Sequence, residues 1–146
     1  MSVVEPHAAH GKHVKYTYLS DDIHEVIFNE ASMCAIDEWI YICEYTVSQT
    51  ASIGLVRQLI DLRVGLPSSV YAIRQVHGLM LRCPGAPPSR VAVLHTRRTT
   101  GVTEVFIKLL NLLPDEQARL QIRYFTENER DAAIAWLLID PDKALR

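Results

Sequence analysis

The stretch Leu55–Val70 constrains this chain more than any other. An apolar run from Leu55 to Leu62 meets a short loop holding Gly65 and Pro67. Ser68 and Ser69 then open a helical pattern at Val70. A buried strand, a tight loop and a capped helix make half of a βαβ unit. The helix carries the chain back to the edge where the strand began, so the next strand has to run parallel to the first. Most of the remaining sequence repeats this half-unit.

Before it, residues 1–12 show no periodicity and read as a tail. Val14, Tyr16 and Tyr18 alternate with Lys15 and Thr17, a polar turn follows at Ser20 to Asp22, and Ile23 to Glu30 alternates again. Two alternating runs joined by a short turn predict an antiparallel hairpin near a sheet edge. From Ala35 the period lengthens: Ile36, Trp39, Ile40, Cys43 and Val47 fall on one helical stripe. Ser32 is the expected N-cap, with Asp37 and Glu38 near the positive end of the dipole. Tyr41 and Tyr45 lie off the stripe and are expected to pack against the sheet margin.

After the central strand, Val70, Ile73, Val76 and Met80 predict a second helix that stops at Cys83, Pro84 and Gly85. Arg90 to Thr96 is a nearly continuous apolar run, as in a strand covered on both faces. A third helix is expected over 102–113 from Val102, Val105, Phe106, Leu109, Leu110 and Leu113. Leu120 to Phe125 is the last strand, and Thr126 with Glu129 forms a capping box for a last helix through Leu138. The order is ββαβαβαβα. This predicts a mixed, mainly parallel five-stranded α/β sheet with four helices, one domain over 13–140 and a second tail over 141–146.

Among 146 residues, 49% are hydrophobic and the formal net charge is −2, so nothing electrostatic points to nucleic acid or an anionic membrane. No apolar run approaches the roughly 20 residues of a membrane span. Cys34, Cys43 and Cys83 are odd in number and lack CxxC spacing, which fits free thiols in a reducing compartment. A soluble cytoplasmic protein without a cofactor is the expectation. His7, His10 and His13 have no fixed geometry for a metal, and no metal site is expected.

Ligands of open α/β sheets bind beyond the carboxyl ends of the strands. There the sequence offers Arg97, Arg98, Thr99 and Thr100 running into a helix start, a candidate anion site with an ordinary N-cap as its plain alternative. Ser68 and Ser69 are helix caps or phosphoacceptors. Asp61, His95 and either serine would compose a superficial triad, but no nucleophile elbow is present and no enzymatic activity is expected.

Several features taken together resemble one family. They are the hairpin Val14–Glu30, the strand ending at Asp61 and Leu62 with Ser68 and Ser69 beyond it, the strand Val91–Leu94, and the closing Arg123–Thr126 with Ala133–Leu137. Over Val14–Leu138 the chain resembles the STAS domains of bacterial anti-sigma-factor antagonists. It is most similar to the small stand-alone STAS-like proteins that share a fold with CRAL-TRIO lipid-transfer domains. The resemblance implies a non-enzymatic regulatory module that binds a protein partner or a second copy of itself as a homodimer. It places the family's phosphoacceptor serine on Ser68 or Ser69, flanked here by Pro67 and Val70. The lipid-transfer relatives imply an alternative, a carrier of a small apolar or anionic ligand at the strand ends or beneath a helix.

Overall fold

A computed structural model describes residues 13–19, 22–50, 54–65, 69–96 and 120–139. The two alternating runs form β1 (Val14–Leu19) and β2 (Ile23–Phe28), paired antiparallel with Val14 opposite Phe28 and Leu19 opposite Ile23. Asp22 lies just before β2 at φ 60°, a left-handed conformation that Asp tolerates better than most residues. Helix α1 (Met33–Thr50) follows, then β3 (Val56–Asp61), α2 (Ser69–Arg82), β4 (Ser89–His95), β5 (Leu120–Thr126) and α3 (Arg130–Leu137). The strand order is β1-β2-β3-β4-β5, with β2 through β5 mutually parallel. The mixed, mainly parallel sheet therefore stands as expected. Three α-helices are present among the described residues, and the helix expected over 102–113 lies outside them, as do both expected tails.

Local chemistry explains the element ends. The Ser32 hydroxyl accepts from the Ala35 N–H at 3.1 Å, the expected N-cap. Because α1 begins at Met33, Asp37 and Glu38 fall past its first turn and do other work than the dipole pairing expected of them. Glu38 Oε2 accepts from the backbone N–H groups of His13 at 2.8 Å and Val14 at 2.9 Å, tying α1 to the start of β1. Asp37 accepts from the Tyr71 hydroxyl at 2.5 Å, joining the N-terminal part of α1 to the first turn of α2. Gly65, at φ 98°, turns the chain after β3 in a region open to glycine and costly for other residues. The capping box is also displaced. Glu129 accepts from the Thr126 N–H and hydroxyl, both at 2.9 Å, but the turn it closes is a 3₁₀ turn, Glu127–Glu129, that leads into α3.

Side-chain alternation gives the sheet two different faces. On the first, Val26, Phe28, Ile60, Val91 and Val93 pack against Ile36, Trp39 and Ile40 of α1 and Ala72 and Val76 of α2. Tyr45 meets Tyr16 edge-on at 6.3 Å, so it covers the β1 margin as expected. On the second, Leu59, Ala92, Leu94 and Phe125 pack against Ala133 and Leu137 of α3.

Arg90 belongs to this second face and is 1% exposed. Its Nη1 donates to the carbonyls of Trp136 at 3.2 Å, Leu137 at 3.4 Å and Ile139 at 2.6 Å. Its guanidinium lies 5.5 Å from the centre of the Trp136 ring. Arg57 Nε adds a bond to the Leu137 carbonyl at 3.0 Å. The last carbonyls of a helix lack partners within it and carry partial negative charge, so two cations at that end meet both needs. Burial, and next the charge of Arg57, pushes the Arg90 pKa below its ordinary value. Replacing Arg90 by Leu should therefore cost about 2–3 kcal/mol, since charge-assisted bonds are lost and buried carbonyls left bare. Arg57→Leu, which removes one such bond, should cost about 1 kcal/mol. Urea unfolding of both variants checks the difference, and equal small losses would show that the clasp does not hold α3.

Candidate functional site

The carboxyl edge of the parallel strands is the first place to look. Asp61 ends β3 and is 5% exposed. Both its oxygens accept from Arg63 Nε at 2.9 Å, Oδ1 also accepts from the Arg63 N–H at 3.1 Å, and Oδ2 lies 2.6 Å from Arg63 Nη2. Beside it Glu25 of β2, also buried, accepts from Arg130 of α3 at 2.5 Å. Two carboxylates and two arginines thus neutralise one another at this edge. Neither ion pair was foreseen from sequence, and Glu25 and Arg130 stand 105 residues apart.

His95 ends β4, and its Nδ1 lies 3.3 Å from the Thr96 carbonyl. Its ring meets Tyr124 edge-on at 5.7 Å. In the parallel register Asp61 stands opposite Leu94. His95, one residue on, projects from the other face of the sheet. The superficial triad does not assemble, because a two-residue period separates its acid from its base. Ser69 is the first residue of α2. Ser68 and the candidate anion site, Arg97, Arg98, Thr99 and Thr100, lie outside the described residues. Met33 at the start of α1, Val64 after β3 and Val70 in the first turn of α2 are exposed apolar side chains.

Among the described residues no group of His, Cys, Asp and Glu could hold a metal ion. His13 Nδ1 instead pairs with Glu30 Oε1 at 2.7 Å. Cys34 is exposed, Cys43 and Cys83 are half-buried, and all three are free. Burial pushes the Cys43 thiol up to about 12, so it stays protonated and behaves as a small apolar group. No described helix is long and apolar enough to cross a membrane.

The second place is internal. A cavity of about 140 Å³ lies between the first face of the sheet and helices α1 and α2. Trp39 and Cys43 of α1, Val76 and Met80 of α2, and Ile60 and Val93 of the sheet line it. Gln58 of β3 also lines it, although only 3% of this side chain is exposed. Its Oε1 accepts from the Trp39 indole N–H at 2.9 Å, and its Nε2 lies 3.5 Å from Cys43 Sγ. In sequence Gln58 follows Arg57, and in a strand the two alternate, so Gln58 falls on the face of Val56 and Ile60; that placement was the available signal.

No family model, no curated protein and no solved structure matches this chain.

On the same face, in register with Gln58, sits His24, buried against Tyr16 and Tyr18. Its Nδ1 is 2.7 Å from the Tyr16 hydroxyl. Burial lowers its pKa below the ordinary 6.5, opposed by the weaker pull of Asp22. The folded state then resists a proton that the unfolded chain accepts, so stability is complete above pH 6.5 and falls as pH drops toward the lowered value. His24→Phe should flatten the part of that slope just below pH 6.5, read from denaturant midpoints between pH 5 and 8. An unchanged slope would mean that the fold accepts the proton.

Proposed function

We propose that this chain is a non-enzymatic, STAS-like regulatory module that works by binding a protein partner or a second copy of itself through the strand-end surface around the start of α2. The observation that carries the reading is three exposed apolar side chains, Met33 at the start of α1, Val64 after β3 and Val70 in the first turn of α2, on helices that the Asp37–Tyr71 hydrogen bond ties together, while the charged groups Asp61, Arg63, Glu25 and Arg130 are already paired with one another. Exposed apolar side chains suit a partner better than water. A phosphate on Ser69 would meet the positive end of α2, which carries no acidic residue in its first turn to repel it.

The test is native mass spectrometry of the protein purified from its own host, beside a variant carrying Met33→Asp, Val64→Asp and Val70→Asp. The expected result is a dimer or a complex with a second protein, lost in the triple variant while its melting temperature stays within a few degrees, as befits surface changes. A monomer in both preparations would end the reading. Ser68→Asp with Ser69→Asp should change the amount of complex, and an unaltered amount would remove phosphate control alone.

A second reading, a carrier of a small ligand, is favoured by the cavity beneath α1 and α2.

A further inference from the structure

Three observations define what that cavity would accept. The first is size. At about 140 Å³ it compares with cavities of about 150 Å³, lined by Leu, Ile and Phe, that stay dry and take up benzene. The second is charge. Among the described residues no charged side chain lines it. A carboxylate or phosphate would therefore find no ionic partner among the described lining residues, and desolvation would oppose its entry.

The third is the state of Gln58. An indole N–H can only donate, so the Gln58 oxygen must face Trp39, and this fixes the orientation of the amide. The amide nitrogen then faces away from Trp39. It carries two hydrogens, and its one described neighbour is the Cys43 sulfur at 3.5 Å, a weak acceptor. A buried amide on the central strand thus keeps donor capacity at the wall of a mostly apolar cavity, whose other polar lining residues among those described are Thr46 and Ser89.

From these we infer that the cavity binds a small, uncharged, mostly apolar molecule with a single oxygen acceptor, which receives a hydrogen bond from Gln58 Nε2. The inference rests on the carrier reading and goes further by naming the chemical class: a compact aromatic or branched ketone, aldehyde or ether. The apolar walls supply burial, and Gln58 supplies orientation. The inference concerns this cavity alone and takes the apolar one of the two ligand classes raised by the sequence.

The experiment uses the whole chain and three probes of matched size: acetophenone, isopropylbenzene and benzoate. Binding is followed through the Gln58 side-chain amide and Trp39 indole signals by nuclear magnetic resonance, and the acetophenone carbonyl stretch by infrared spectroscopy. Both neutral probes are expected to bind and benzoate to fail. The bound carbonyl stretch should lie below its value in alkane. In Gln58→Leu the preference for acetophenone over isopropylbenzene should fall roughly tenfold, the worth of one buried hydrogen bond. An alkane-like stretch, an unchanged preference in a folded Gln58→Leu protein, or tighter binding of benzoate would overturn the ligand class and leave the carrier reading standing. Binding of no probe would overturn both. Should Gln58→Leu fail to fold because Trp39 loses its acceptor, the stretch in the unaltered protein decides alone.

Discussion

A sheet whose parallel strands are laid down in simple sequential order has to put its right-handed crossovers on one side. Here β2, β3 and β4 are neighbours in chain order, and α1 and α2, which connect them, share the first face. Among the described residues two long helices thus share one side, and the other holds α3, an eight-residue helix. Much of what is distinctive about the molecule follows from this asymmetry. The side of the two long helices holds a partly open cavity where they meet the sheet. The other side secures α3 with cations, because so short a helix brings little apolar area of its own.

The elements were legible because their periods differ. Alternation marked β1 and β2, the stripe from Ile36 to Val47 marked α1, and continuous apolar runs marked β3 and β4, all within three residues of the observed bounds. Ser32 and Thr126 were readable as caps because capping is local chemistry. Strand order and the choice of face were not legible. Both depend on pairings between segments tens of residues apart, which no window of sequence contains. The same blindness hid the buried polar groups. Arg90 looked like the flank of an apolar strand, and its partners lie 46 to 49 residues further on. Glu38 looked like a dipole residue until the backbone of His13 and Val14 was placed beside it.

The candidate sites divide along the same line. Sequence reasoning gathered Asp61 and His95 at one edge, which was sound as far as it went: both end parallel strands. It had no means of fixing their relative register, and so could not see that Asp61 and His95 point to opposite sides. Gln58 was passed over because a lone amide within a hydrophobic run carries no motif. Only its surroundings, with Trp39 on the oxygen and an apolar space beyond the nitrogen, give it meaning.

The cationic clasp on α3 also sets an order of events. Its donors sit on β3 and β4, and its acceptors are the carbonyls of residues 136–139. During synthesis the first face can be covered once α2 has emerged, whereas Leu59, Ala92 and Leu94 stay bare on the second until Ile139 has left the ribosome. A nascent chain would pass through that interval with half its sheet unprotected. Arg90 in β4, with Arg57 and Asp61 in β3 and Glu25 in β2, would be the charges that keep this naked surface in water until its helix arrives.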